Sequence, residues 1–293
     1  MPSNDEIALL GSEIHYLTST GSGLEYKIHV RWIGSRKGEK PIVLYHPDAN
    51  GTFGGVVSSL RLPQLYGSIP PVLVIGIGYR IQREHEMYQL RARDLTPFQG
   101  DPTFAAKNWE SGRADEFLDF IRDDLKPWVA LQYGVDPDDD VFFGYSLGGL
   151  FGTYVLLTQP ETFKRYGLGS PSLWFQGHAI FKLEADRASS RDDLAAEVFF
   201  STGELETPRG AHCLEATLPE GKREAAKAAR EAEIAMVGEI DMVQDMVTMV
   251  ERLRERNYPS LKMGSEVLSD ESHYTATLRC LSKSMRFLFD ARG

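Results

Sequence analysis

The sequence predicts an α/β protein with one mostly parallel central sheet and helices on both faces. Short runs rich in β-branched and aromatic residues alternate with helical patterns along the whole chain. One run, Val72-Leu-Val-Ile-Gly-Ile-Gly-Tyr79, is nearly all apolar, which is what a strand covered on both sides requires. The chain has 293 residues, 42% of them hydrophobic, enough for one large core, and no linker divides it. A single domain over 1–293 is therefore expected.

Strands are read at Glu25-Ile33, Pro41-Tyr45, Val72-Tyr79, Val141-Tyr145, Glu197-Ser201 and Leu261-Leu268. Trp109-Ala130 reads as one long helix, with Phe117, Phe120, Ile121 and Leu125 at three- and four-residue spacing. Asp136-Pro-Asp-Asp-Asp140 is then the turn into the next strand. It lacks the glycine and terminal glutamate of a calcium loop, so it is read as solvated and not as a metal site. Leu150-Thr158 forms a helix beyond that strand. The segment 207–238 departs in composition, being rich in Ala, Glu, Lys and Arg, and its charges at four-residue spacing support an exposed helical insertion. Behind it, Ile240-Arg254 carries Met242, Val243, Met246, Val247 and Val250 as a buried stripe. Thr275-Phe289 is the final helix.

The apolar strand Val141-Phe142-Phe143 runs into Gly144-Tyr-Ser-Leu-Gly-Gly149, and a helix runs out of it. G-x-S-x-G in that context is a nucleophile elbow, in which the serine adopts a strained conformation and the glycines remove colliding Cβ atoms. Ser146 is thus the candidate nucleophile. A serine hydroxyl reacts poorly at neutral pH without a base in hydrogen-bond reach and an acid that orients the base. In the order serine, acid, histidine, His273 is the base by position, since it falls between a late strand and the last helix. The acid belongs after Ala196-Thr202, where Glu204 and Glu206 both stand. If the strand persists they share a direction, so periodicity does not choose between them. Asp270 and Glu271 beside His273 are further candidates, although acids so near the base in sequence seldom reach its far ring nitrogen. For the oxyanion, the donors expected are the backbone N–H groups of Leu147, directly after the serine, and of Asn50 in the turn His46-Pro-Asp-Ala-Asn-Gly51.

Bulk properties set further limits. No run of about 18 apolar residues exists, so no membrane span is expected. The start Met1-Pro-Ser-Asn-Asp-Glu6 lacks a basic region followed by an apolar one, which predicts a cytoplasmic protein. Cys213 and Cys280 form no metal-ligand spacing and no disulfide framework. A formal charge of −10 argues against nucleic acid as a partner.

Taken together, Leu44-Tyr-His-Pro-Asp-Ala-Asn50, Val74-Ile-Gly-Ile-Gly-Tyr79, Arg91-Ala-Arg-Asp-Leu-Thr-Pro97, Gly144-Tyr-Ser-Leu-Gly-Gly-Leu-Phe151, Ser170-Pro-Ser-Leu-Trp174 and Gly203-Glu-Leu-Glu206 resemble the putative-esterase branch of the α/β-hydrolases. This is the esterase D-like group that includes ferric-enterobactin and related siderophore esterases. The resemblance runs from about residue 12 to the C-terminus. It implies an α/β-hydrolase fold and a serine hydrolase that cleaves small-molecule esters through an acyl-enzyme, with no metal or organic cofactor. It assigns Ser146 as nucleophile, His273 as base, Glu206 as acid, and Leu147 with Asn50 as the oxyanion hole. Arg91 and Arg93 correspond to a stretch near the substrate cleft, where they either meet an anionic group or belong to a structural network. Trp174 is either a pocket wall or a core residue. A siderophore ester or lactone is the implied substrate, with a thioester, a xenobiotic ester or acyl transfer to another alcohol as alternatives, and a non-catalytic fold that only binds a ligand as the reading the intact serine-acid-histidine order disfavours. Two features depart from the family pattern. Ala49 stands where relatives commonly have glycine, after His46-Pro47 in place of an apolar pair, and 207–238 is long for its position. Lying between acid and histidine, that segment is a lid, a surface helix or an oligomer contact.

Overall fold

A computed structural model describes residues 9–34, 40–136 and 139–289. The start of the chain and two residues of the Asp136–Asp140 turn, Pro137 and Asp138, lie outside the described residues. Eight strands form one sheet: β1 (Glu13–Thr18), β2 (Glu25–Ile33), β3 (Ile42–His46), β4 (Val72–Tyr79), β5 (Asp140–Tyr145), β6 (Arg165–Gly169), β7 (Ala196–Gly203) and β8 (Leu261–Leu268). Their spatial order is β1-β2-β4-β3-β5-β6-β7-β8. β1 and β2 are antiparallel to their neighbours, and every pair from β4–β3 to β7–β8 is parallel. β1 and β6 are additional to the strands read from the sequence.

The helices are α1 (Ala49–Leu65), α2 (Glu84–Asp94), the single turn α3 (Pro102–Ala105), α4 (Ala114–Asp119), α5 (Lys126–Tyr133), α6 (Leu147–Thr158), α7 (Phe175–Ala188), α8 (Pro208–Thr217), α9 (Glu220–Val237), α10 (Met242–Glu255) and α11 (Thr277–Leu288). Period two along β4 divides its side chains between two cores. Leu73, Ile75 and Ile77 join Phe117, Phe151 and Met249 on one face, while Val72 and Val74 join Phe53, Val57, Leu281 and Met285 on the other. On this second face Gly78 makes room for the start of α1: a Cβ there would sit 2.6 Å from Asn50 Oδ1. Close approach of α1 to the sheet thus depends on an absent side chain.

The long helix expected over Trp109–Ala130 begins only at Ala114 and is interrupted by a π turn at Phe120–Leu125. Pro127 supplies the reason, because it has no N–H to give the carbonyl four residues back and its ring presses on that carbonyl. The Asp136–Asp140 turn is likewise not wholly solvated. Asp140 is fully buried, with Lys126 Nζ 2.7 Å from its Oδ2 and the Lys164 amide 2.8 Å from its Oδ1. The 207–238 segment forms two helices, broken at Leu218-Pro219, and no residue of α9 is buried.

Candidate active site

The parallel strands β5, β6, β7 and β8 end at one edge of the sheet, and the loops that leave them converge there. At the end of β5 the chain reverses into α6 through Ser146, whose φ of 60° and ψ of −118° lie far from the regions that L-residues favour. Gly144 permits this. A Cβ at that position would sit 2.1 Å from the Gly148 carbonyl oxygen. The Ser146 amide donates to Gly169 O on β6 at 3.0 Å, and its carbonyl accepts from Leu150 N and Ser172 N. Main-chain bonds therefore hold the strained residue from both sides.

Ser146 Oγ lies 3.0 Å from His273 Nε2, and His273 Nδ1 lies 2.6 Å from Glu206 Oε2. Because a carboxylate accepts, Nδ1 carries the proton it gives to Glu206, which leaves Nε2 as the acceptor for the serine hydroxyl. Glu206 is held more tightly than the imidazole. Its Oε1 accepts from Ser170 Oγ at 2.6 Å and from the Gly203 amide at 2.7 Å, and its side chain is 1% exposed against 33% for His273. The imidazole also lies beside the Tyr145 ring, with centroids 5.2 Å apart, while Tyr145 Oη donates to His273 O at 2.8 Å. Burial, with the Glu206 charge adding to it, raises the Tyr145 pKa, so this phenol keeps its donor proton.

Glu204 points elsewhere. Its carboxylate accepts from the Asp270 amide at 3.1 Å at the mouth of the β8 loop. Glu271, the other acid beside His273, pairs with Arg279 at 2.7 Å. The chain leaves β7 in a turn, closed by Glu206 N donating to Gly203 O, so Glu204 and Glu206 do not share a direction.

Leu147 is the first residue of α6, and Asn50 the second of α1. Amides in a first helical turn have no intrahelical acceptor. The Asn50 side chain is fully engaged, Nδ2 donating to Tyr79 O at 2.9 Å and Oδ1 accepting from Tyr79 N at 2.7 Å. The two helix starts meet: a Cβ on Gly148 would stand 3.1 Å from Pro47 Cγ and 3.8 Å from Asp48 Oδ2.

Both arginines of the Arg91–Pro97 stretch are engaged in ion pairs. Arg91 grips Asp48 with two bonds, Nε to Oδ1 at 2.8 Å and Nη2 to Oδ2 at 3.1 Å. Arg93 bonds Asp94 and Glu116 and lies 3.6 Å from Glu110. Burial pushes the Asp94 carboxyl up to about 6, against the pull of Arg93 and a hydrogen bond from Tyr26. Trp174 is half-buried against the core and Phe175. It follows Ser172, whose Oγ lies 3.3 Å from Ser146 Oγ. Nothing in the sequence alone assigns a role to Ser170 or Ser172. The available signal was their place at the C-terminal end of a strand next to the elbow, and that strand, β6, was itself missed. Among the described residues no cluster of three or more His, Cys, Asp and Glu is arranged to hold a metal, and no helix is long and apolar enough to cross a membrane.

A strained serine, an imidazole and a buried carboxylate in hydrogen-bonded series, set on the C-terminal edge of a parallel sheet, define a serine hydrolase of the α/β-hydrolase class. The chain belongs to the putative esterase family, whose model matches residues 20–239, and it is a carboxylic ester hydrolase. Its sequence is 32% identical over 224 residues to the ferri-bacillibactin esterase BesA of Bacillus subtilis, which covers 70% of this chain and 74% of that protein. Solved structures share its fold, among them the following two. A BES protein from Bacillus cereus aligns with a TM-score of 0.75 at 23% identity over 97% of this chain and 98% of its own. The siderophore hydrolase EstA from Aspergillus nidulans aligns with a TM-score of 0.74 at 24% identity, over 97% and 95% of the two chains.

Proposed function

We propose that this protein hydrolyses a siderophore ester or lactone in the cytoplasm through an acyl-enzyme on Ser146. Carrying the chemistry is the hydrogen-bonded series Ser146 Oγ, His273, Glu206. The substrate class rests on the relative of 32% identity named as a ferri-bacillibactin esterase. In the reaction His273 Nε2 takes the Ser146 proton as Oγ attacks the ester carbonyl, and Glu206 holds the imidazole and stabilises its cation. The amides of Leu147 and Asn50 receive the oxyanion. His273 then protonates the departing alcohol and activates the water that releases the acid. Trp174 forms a wall beside the reacting serine, an assignment supported by its half-exposed side chain and its place two residues after Ser172.

The 207–238 segment is read as a cover over this cleft. It starts immediately after Glu206, and α9 packs against α3, α7 and α8. A ferric siderophore is large, so closure is the step that selects it.

The reading is tested by product mass analysis with iron-loaded and iron-free siderophores beside simple esters, lactones and thioesters. It predicts an added water on a siderophore product in a Ser146-dependent reaction. Turnover of simple esters alone would leave an esterase of another substrate class. Transfer of the acyl group to an added alcohol in preference to water would make the protein an acyltransferase.

A further inference from the structure

The turn from β3 into α1 contains an aspartate in an unusual situation. Asp48 is the N-cap of α1, where a short carboxylate ordinarily accepts from the second or third amide of the helix. Here it makes no such bond. Its backbone is left-handed, φ 63° and ψ 22°, and both carboxylate oxygens are turned toward the Arg91 guanidinium on α2. Neither partner is freely solvated, with side chains 16% and 18% exposed. The first bonds of the helix go instead to the Asp48 carbonyl, from the amides of Gly51 and Thr52 and from Thr52 Oγ1. Asp48 Oδ2 nevertheless stays close to the elbow, 3.8 Å from where a Cβ on Gly148 would be. A carboxylate so placed has two ways to harm an oxyanion site. Released from Arg91, it would cap the α1 amides that the oxyanion needs, and its unpaired charge would repel the developing negative oxygen.

We propose that Arg91 is a positioning residue for catalysis: by clamping Asp48 it withdraws that carboxylate from the start of α1, keeps the Asn50 amide free for the oxyanion, and neutralises the charge beside it. The proposal rests on the assignment of Asn50 to the oxyanion hole. It also accounts for the second anchor of this turn, the Asn50 carboxamide bonded to Tyr79, because both side chains hold the backbone in place without using its amides. Arg91 then does not meet substrate.

The test compares Arg91→Met with Arg91→Met/Asp48→Gly on neutral and anionic p-nitrophenyl esters. Glycine accepts the left-handed backbone at 48 and carries no carboxylate. Arg91→Met is expected to lower kcat on both esters by roughly tenfold to a hundredfold with KM within about twofold, the scale of a weakened oxyanion donor. The double variant, from which the freed carboxylate is also removed, is expected to recover about tenfold of that loss. A double variant no faster than the single one would overturn the proposal, as would a change confined to KM for the anionic ester, which marks substrate binding. If Arg91→Met does not fold, Arg91→Lys serves in its place. It keeps the charge but loses the fork, and its kcat loss must again be relieved by Asp48→Gly. Should native protein show no Ser146-dependent turnover of these esters or of the siderophores, the esterase reading itself fails. Native turnover without relief in the double variant fails the Arg91 assignment alone.

Discussion

Glu204 and Glu206 stand two residues apart and have separate fates, since the turn closing on Gly203 sends one to the Asp270 amide and the other to the imidazole. Glu206→Gln is accordingly expected to lower kcat by roughly a thousandfold to ten-thousandfold by disturbing the tautomer of His273. Glu204→Gln should leave kcat within about threefold, as befits a surface charge. Steady-state kinetics of the two variants separates them, and equal losses would refute the assignment. Motif and order alone single out Ser146 and His273 as candidates, and the structure brings them within 3.0 Å, whereas the choice between the two glutamates turns on a chain reversal that strand periodicity does not encode. His46 illustrates another residue-scale effect. Its Nδ1 donates to Pro47 O at 3.0 Å, and complete burial holds its pKa down to about 4. Between about pH 6.5 and 4 the unfolded chain therefore binds a proton that the folded one does not, so this contribution is present above 6.5 and is lost as pH falls toward 4. Asp94, raised to about 6, acts in the opposite sense by favouring the folded state as pH falls through 6. Urea unfolding at pH 7 and pH 4.5 isolates the histidine: stability lost between the two should be smaller in His46→Leu than in the native protein, and equal losses would contradict the account.

Elements were legible where hydrophobic pattern was strong and obscure where glycine or an edge diluted it. β4 and β8 coincide with the runs Val72–Tyr79 and Leu261–Leu268. β6 was hidden because Gly167 and Gly169 interrupt its short apolar pattern, and β1 because it is a six-residue edge strand without a buried position. The π turn shows a local rule overriding periodicity, since Phe117, Phe120, Ile121 and Leu125 are all buried although the helix geometry is broken between them. Immediately after that turn, Lys126 reaches across to Asp140 at the foot of β5 and to Thr162 O at 2.6 Å. Lys126→Met removes the ammonium at 2.7 Å from the buried Asp140 carboxylate, and loss of one partner of such a pair costs about 3–5 kcal/mol. Equilibrium denaturation measures this, and a loss under about 1 kcal/mol would mean that water or another group takes over the carboxylate. For the 207–238 segment, composition showed helix and exposure but not the break at Leu218-Pro219, which leaves α8 and α9 as separate bodies joined by an Arg230–Glu215 pair at 2.5 Å.

On the scale of the molecule, alternation of strands and helices was enough to read the fold class, because a parallel sheet needs crossover helices and both faces then become core. The same topology explains why the site is where it is. Loops from β5, β6, β7 and β8 leave one edge together, so residues as far apart in sequence as Ser146 and His273 come within 3.0 Å. What sequence did not contain was the environment of the charged residues: Arg91 and Arg93 read equally well as substrate ligands and as network members, and only their partners in space distinguish the two. The central claim is that this assembly activates Ser146. Intact-protein mass after incubation with a fluorophosphonate tests it most directly. A single covalent adduct on the native protein, absent from Ser146→Ala, is the result predicted; an unmodified native protein, or an adduct that persists in the variant, would contradict it.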